Sequence, residues 1–189
     1  MIATPLAHAV LEAAESRRSI RRYSDAPVTE AELAQLVETA GRAPSAYNLQ
    51  PWRWVAVRDP ELKSRLQAAA YGQPQGGAAP VVLVLYTDTL DALDNVEETF
   101  APTLPADKAA GTKAHLRSTI GAQSEADREA WGAGQSYIAL GYLLLVAESM
   151  GLGTSPMLGF DAEQVKSILG LPSYARVPAL VTVGRPAEE

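Results

Sequence analysis

The segment that decides the fold is residues 135–160, which have the sequence QSYIALGYLLLVAESMGLGTSPMLGF. Ile138, Leu140 and residues 143–146 leave little polar surface over several helical turns, and Gly151 and Gly153 follow as stop signals. The pattern predicts a long helix over residues 125–150. A helix that is apolar on all sides needs cover on all sides, so we expect it to lie under other elements of the chain or against a second subunit.

Helices and strands alternate on both sides of this segment. N-cap residues and glycine or proline stops mark the helices, and runs of valine and aromatic residues mark the strands. The predicted helices begin at Thr4 and Pro5, at Thr29 and Glu32 (a capping box, with the end at Gly41), at Asp59 and Pro60, and at Asp161 (with the end at Gly170). The predicted strands cover residues 52–57, 79–86 and 177–184, and a turn is predicted at Gly76 and Gly77. This alternation predicts an α+β or α/β domain.

Residues 88–124 break the alternation, because they are polar and acidic with few large apolar side chains. We expect a helical excursion or lid here, and we expect it to determine which substrate is accepted. The rest of the chain has no internal repeat, low-complexity linker or change of composition. Residues 1–189 are therefore predicted to form a single domain.

The overall composition excludes several classes of function. The 189 residues are 47% hydrophobic with a net charge of -6, which argues against a broad nucleic-acid or anionic membrane surface. With no cysteine and two histidines, the chain offers no thiolate site and few ligands for a metal. The longest apolar run, residues 137–147, is too short to span a bilayer. The composition predicts a soluble cytoplasmic protein without a metal site.

Several common catalytic motifs are absent from the sequence. No G-x-G-x-x-G or Walker-type glycine loop is present, which argues against a Rossmann dinucleotide site and a P-loop. His8 lies in a predicted surface helix and His115 in the acidic excursion, so neither is placed to activate a nucleophile. We therefore assign no catalytic general acid or base.

A basic cluster lies between the first two predicted helices. It contains Arg17, Arg18, Ser19, Arg21 and Arg22. Arginine suits a phosphate because its planar fork donates two hydrogen bonds and stays charged, and a serine hydroxyl adds a donor. The alternative is a solvated loop whose arginines pair with nearby acidic residues, namely Glu12, Glu15 and Asp25.

A second polar cluster lies between the prolines Pro44 and Pro51. Ser45, Asn48 and Gln50 place donors and acceptors in this loop, which runs into the strand predicted over 52–57. Such a loop can bind the edge of a flat heterocycle. The alternative is a connection whose polar groups bond its own backbone.

These clusters carry a resemblance to the nitroreductase family of FMN enzymes. Four motifs occur in the family's order and spacing: Arg17 to Arg21, Pro44 to Trp52, Gln135 to Gly141, and Met150 to Phe160. The resemblance covers residues 12–71 and 130–185. It implies a three-layer α+β sandwich with a mainly antiparallel sheet and a long central helix, in a homodimer that holds two FMN molecules between its subunits.

The resemblance also implies how the first cluster binds FMN. Arg17, Arg18 and Ser19 take the positions that hold the phosphate and ribityl chain. Arg21 takes a position near the N1 and C2 carbonyl edge of the ring, where a fixed cation stabilises the negative charge of the reduced flavin.

The other motifs are assigned in the same way. Ser45, Asn48 and Gln50 are expected to contact the ring or ribityl chain, partly from the other subunit. Residues 157–159, namely Met157, Leu158 and Gly159, are expected to pass over the ring, with the Gly159 N–H directed at N5.

The implied reaction is a ping-pong reduction of nitroaromatics, quinones or similar electrophiles, with NADH or NADPH as donor. Two alternatives remain. One is a flavin-binding module without catalysis, and the other is a related flavin enzyme for dehalogenation, enal or enone reduction or flavin breakdown.

Two departures from the family pattern change the expectations. Many relatives have an acidic residue at the position of Leu158. Relatives also often continue past the last strand with a basic segment, so we expect this chain to hold the phosphate on its N-terminal arginines alone, and FMN to bind more weakly.

Overall fold

A computed structural model describes residues 5–187, so the predicted N-cap Thr4 lies outside the described residues. The helices and strands are α1 (Pro5–Ser16), α2 (Glu30–Ala40), β1 (Trp52–Val57), α3 (Pro60–Ala69), α4 (Pro74–Ala78), β2 (Val81–Thr87), α5 (Thr89–Asp94), α6 (Ala106–Thr119), α7 (Glu125–Ser149), β3 (Gly153–Met157), α8 (Ala162–Leu169) and β4 (Ala179–Gly184). Short 3₁₀ helices at Ala46–Asn48 and Val96–Thr99 complete them.

The four strands form one antiparallel sheet in the order β1-β2-β4-β3. The two central strands are rich in valine and leucine, and nearly all of their residues are buried. Val84 pairs with Val55 on one side and with Leu180 on the other. Because both faces of the central strands are covered, their side chains are apolar in continuous runs rather than in alternation.

Helices pack on both faces of the sheet and make it the middle of three layers. One core cluster joins β2 and β4 to α2 and α7, and it includes Leu36, Leu83 and Leu143. The other joins the opposite face to α3 and α8, and it includes Leu66 and Val165. The predicted α+β sandwich with a mainly antiparallel sheet and a long central helix is confirmed.

Helix α7 is the central element of the first layer. Ser124 caps it, since the Ser124 Oγ accepts a hydrogen bond from the Asp127 N–H. Ala139, Leu143 and Ala147 are fully buried against the sheet, whereas Tyr137, Ile138 and Tyr142 remain 40–46% exposed. The helix therefore has an apolar face that one chain leaves uncovered.

Among the described residues, α7 is also the one helix that could cross a membrane by length and composition, with a mean hydropathy of 1.2 over its most apolar window. The central helix of a folded domain meets the same criterion. Its packing against β1, β2, α1 and α2 identifies it as a core helix here.

The segment 88–124 is helical, as predicted, and it has a small apolar core of its own. This core contains Leu49, Leu93, Val96 and Leu116, with Trp131 of α7 packed against it. The segment is thus attached to the loop before β1 and to the central helix.

The local structure differs from the sequence-based predictions at two places, and helix α1 adds a feature that they did not address. The sequence did not predict β3, whose residues pair with β4 from Gly153 to Met157. Gly76 and Gly77 lie in α4 rather than in a turn; Pro74 begins this helix, and a side chain at either glycine would meet Gln67 of α3. Helix α1 forms as predicted, but its apolar side chains Val10 and Leu11 are exposed.

Candidate functional site

The basic cluster lies against the edge strand β3. Ile20 N–H donates to the Thr154 carbonyl at 2.9 Å, and Ser19 forms a parallel bridge with Thr154. A side chain at Gly153 would place its Cβ 2.9 Å from the Ile20 side chain, so this close approach requires glycine. These contacts place Arg17 and Ser19 beside the start of β3.

Arg17 has an unsatisfied hydrogen-bond donor. Its Nη1 is buried and has no hydrogen-bond partner among the described residues. The neighbouring Arg18 is exposed, and its Nη1 donates to the Ser16 carbonyl at 3.3 Å. Buried donors are nearly always paired, and a buried cation favours an anion as its partner. The donor at Arg17 fits the phosphate of a bound FMN.

Arg185, just after β4, lies near the same end of the sheet but is already paired. Its guanidinium contacts Glu32 and donates to the Met150 carbonyl at 3.3 Å. Hydrogen bonds from Thr29, together with this arginine, hold the pKa of Glu32 below its usual value. Arg185 therefore joins α2 to the end of α7.

Met157, Leu158 and Gly159 follow at the other end of β3. Met157 is buried and pairs with Leu180, whereas Leu158 is 66% exposed and Gly159 is exposed. The backbone thus leaves the sheet and enters solvent within two residues. A ligand over this turn would meet backbone groups and the Leu158 side chain.

Sequence reasoning missed the residues that hold this turn. Gln73 Nε2 donates to the Gly159 carbonyl at 2.9 Å, and the buried Gln75 donates from Nε2 to Gln73 Oε1 at 3.1 Å. Tyr71, whose ring is 74% exposed, lies beside Gly159. A lone glutamine in a loop gives no signal in the sequence of such a distant contact.

The loop with the second polar cluster is ordered by its own hydrogen bonds. Ser45 Oγ accepts from the Gln50 N–H at 2.9 Å, and Asn48 Oδ1 accepts from Gln50 Nε2 at 2.9 Å. The alternative prediction, that the polar groups of this loop bond within the loop itself, is therefore partly confirmed. In its bond with Gln50 the Ser45 Oγ is the acceptor, so the Ser45 O–H can still donate a hydrogen bond to another group.

This loop is also tied to α7 and to the excursion. Gln135 Oε1 accepts from the Ala46 N–H at 2.9 Å, and Asn48 Nδ2 donates to the Thr99 carbonyl at 2.8 Å. Tyr47, Asn48 and Gln50 have φ values of 57°, 54° and 49°, which are unfavourable for residues other than glycine. Backbone strain of this kind clusters at functional sites.

A cleft opens between this loop and α6. Its lining includes the exposed Tyr47 ring, Lys108 and His115, and the Tyr47 and His115 ring centroids are 6.2 Å apart. The excursion therefore forms one wall beside the second polar cluster.

A single chain does not bring the two clusters together. The second cluster is tied to α7 at Gln135, whereas Ser16, next to Arg17, bonds Glu148 at 2.8 Å. At about 1.5 Å per residue these contacts lie roughly 20 Å apart along the helix axis. Arg17, Ser19 and Gly159 border β3, and Ser45, Asn48 and Gln50 lie at a separate place on α7.

Residues 5–187 contain no group of three or more His, Asp or Glu side chains that could hold a metal ion. His8 and His115 are both exposed.

Comparisons with known proteins agree on one family. The model of the Nitroreductase family matches residues 14–185. A Thermus thermophilus protein named NADH dehydrogenase is 54% identical over 177 residues, covering 94% of this chain and 86% of that protein. A Bacillus subtilis protein named FMN reductase (NAD(P)H) is 31% identical over 181 residues, covering 95% and 66%. A solved nitroreductase family protein from Streptococcus pneumoniae superposes with a TM-score of 0.85 at 28% identity, covering 95% and 91%.

Proposed function

The chain belongs to the nitroreductase family, and from this premise we propose that it is an NAD(P)H-dependent oxidoreductase that binds FMN. It reduces nitroaromatics, quinones or similar electrophiles in a ping-pong reaction. The names of its relatives, NADH dehydrogenase and FMN reductase, support the donor and the cofactor.

The observation that carries the proposal is the unsatisfied donor of Arg17. A buried guanidinium nitrogen without a partner, in a protein of net charge -6, is a site for a local anion. The terminal phosphate of FMN supplies that anion, and Ser19 lies beside it as a further donor. The chain has no glycine-rich turn for a pyrophosphate, which favours FMN over FAD.

Bound FMN supplies a ring that accepts two electrons from NAD(P)H and passes them to the acceptor. The chain's own residues bind and orient. Arg17 and Arg18 hold the phosphate, and Arg21 places a fixed cation at the edge of the ring where negative charge develops. Gly159 presents its N–H at the ring, and the exposed Leu158 excludes water from that side.

We propose that a second copy of the chain completes each site. In a twofold dimer with antiparallel α7 helices, the loop of one subunit lies beside the basic cluster of its partner, which removes the 20 Å gap. The exposed face of α7 is suited to this contact. Gly134 and Gly141 have open space where a side chain would be, and Ile138 is apolar and exposed.

We also propose where the enzyme works and which part of it selects the acceptor. The chain acts as one domain in the cytoplasm, and residues 88–124 select the acceptor through the cleft beside Tyr47. Nucleic acid and membrane surfaces are not among its partners.

Visible spectra of the purified protein, reconstituted with FMN and then mixed anaerobically with NADH or NADPH, test the proposal. We expect a bound flavin spectrum that one of the two donors bleaches and a quinone restores. Mass spectrometry of the released cofactor should identify FMN. A bound flavin that neither donor reduces would identify a non-catalytic module, and no bound flavin would reject the proposal.

A further inference from the structure

The turn at Gly159 is held by two glutamines in series. Gln73 Nε2 donates to the Gly159 carbonyl at 2.9 Å, and Gln75 Nε2 donates to Gln73 Oε1 at 3.1 Å. Gln75 is 5% exposed, and Gln73 is partly buried. Neither residue belongs to the motifs that carry the family resemblance.

The chemistry of the amide group gives this series a direction. A carbonyl oxygen only accepts, so Gln73 must turn its NH₂ group toward Gly159. Its oxygen then faces Gln75, which supplies a donor. Gln75 thus stabilises the one orientation of Gln73 that can hold Gly159.

The loop that carries Gln73 is itself fixed. Tyr71 and Gly72 have φ values of 56° and 75°, and the Gly72 N–H donates to the Gln67 carbonyl at 2.9 Å. A second tie joins the same regions, because the Asp161 N–H donates to the Ala69 carbonyl at 2.8 Å. The end of α3 therefore holds the segment between β3 and α8 from outside the sheet.

Gly159 needs such a restraint. It is exposed and has no side chain, so its backbone is the most permissive in this segment. Met157 is held in β3 on one side, and the Gly159 carbonyl is held by Gln73 on the other. Between these two points lie the Met157–Leu158 and Leu158–Gly159 peptides, the second of which carries the Gly159 N–H.

We propose that Gln73 and Gln75 are positioning residues, an amide relay that fixes the Gly159 carbonyl and thereby restrains the adjoining Leu158–Gly159 peptide, whose N–H is required to meet the flavin ring. This inference rests on the proposed function. Gln75 acts through Gln73 and not by contact with the cofactor.

The test uses Gln73→Glu, an isosteric change that removes the donor. A carboxylate only accepts and repels the Gly159 carbonyl, so we expect the Asp161 amide in the flavin-free protein to exchange with deuterium about tenfold faster. With FMN bound, we expect a lower midpoint potential of the flavin and hydride transfer slowed about tenfold, while the Kd for FMN changes by less than about threefold. Lowering the pH toward about 4.3 should reverse the effect on exchange, because a protonated glutamic acid donates again.

Gln75→Glu tests the relay itself. Its carboxylate accepts from Gln73 Nε2, which turns the Gln73 oxygen toward Gly159, so we expect the same loosening although residue 75 does not touch the turn. Gln75→Met removes the interaction without burying a charge and should show a weaker effect of the same kind if Gln75→Glu fails to fold.

Gln35→Glu is the matched control, because it makes the same change on the exposed face of α2. If the Asp161 amide exchanges at the same rate in Gln73→Glu and in Gln75→Met as in the control, the relay is overturned. The exchange measurement needs no flavin. A wild-type protein that fails to bind FMN would therefore reject the proposed function separately and leave this result intact.

Discussion

Arg17 offers a direct test of how the phosphate is held, since its Nη1 is buried without a partner. We expect Arg17→Ala to weaken FMN binding by about one to two decades in Kd, the loss of one charge-assisted contact. Activity at saturating FMN should largely return. Flavin fluorescence titration measures the affinity, and an unchanged Kd would remove the basic cluster from the site.

Arg21→Ala is expected to behave differently, because Arg21 is assigned to the ring rather than to the phosphate. Loss of a cation at the edge where charge develops should lower the midpoint potential of the bound flavin and slow its reduction. Added FMN should not restore the rate. Potentiometry on the two variants separates the roles, and equal potentials in Arg21→Ala and wild type would contradict this assignment.

Tyr174 is expected to titrate late. Burial, followed by the charge of Asp88 and the hydrogen bond to it at 3.1 Å, raises the pKa of Tyr174 to about 12. The raised pKa favours the neutral phenol in the folded state. This contribution to stability is complete below the unfolded pKa of about 10 and is lost as the pH rises through about 12.

The measurement is an alkaline titration followed by ultraviolet absorbance. Of the seven tyrosines, the late step should vanish in Tyr174→Phe and persist in Tyr71→Phe, which removes an exposed ring. A late step that survives in Tyr174→Phe would assign it to another residue, such as the partly buried Tyr86, whose pKa burial also raises.

At the scale of elements, the buried Glu129 of α7 anchors the excursion to the central helix through Thr89 of α5, and it also forms an ion pair with its neighbour Arg128. Glu129 is fully buried, lies 3.4 Å from Arg128 Nε and accepts from Thr89 Oγ1 at 3.1 Å. Glu129→Ala leaves the Arg128 charge buried without its partner, so we expect it to lower the free energy of unfolding by about 3–5 kcal/mol. Denaturant titration gives this value.

The double variant Arg128→Met with Glu129→Leu removes both charges and should recover most of the loss, because apolar residues often replace a buried ion pair at little cost. If Glu129→Ala stays within about 0.5 kcal/mol of wild type, as surface changes do, Glu129 does not anchor α5.

Most elements could be predicted because their signals are local. Thr29, Asp59 and Asp161 cap α2, α3 and α8 as predicted, since each side chain accepts from a backbone N–H three residues later. The continuous valine and leucine runs of β2 and β4 predicted buried strands.

Strand β3 could not be predicted in this way. Gly153 and Pro156 disfavour a strand, and the pairing with β4 and the contact of Thr154 with Ile20 impose the conformation from elsewhere in the chain. The same limit applies to the site. Gln73 and Gly159 are 86 positions apart, so only the folded chain brings them together.

For the whole molecule, the exposed face of α7 predicts that assembly and cofactor binding are lost together. Ile138→Glu places a charge on this face, so we expect a monomer by light scattering that also loses FMN, because in the proposed dimer each site needs residues from both subunits. Leu104→Glu is the matched control, since Leu104 is an exposed apolar residue outside α7, just before α6. A monomeric Ile138→Glu protein that keeps FMN would contradict the shared site.

The bridges between Ser19 and Thr154 and between Tyr23 and Pro186 also bear on how the protein is made. Ser19 leaves the ribosome long before Thr154 has been translated, so the segment that we propose to bind the phosphate has no strand to pair with during most of synthesis. Pairings this distant in sequence form late and slowly. In the proposed function, FMN binding therefore waits for a nearly complete nascent chain, and until then the side chain of Arg17 is open to other cellular anions.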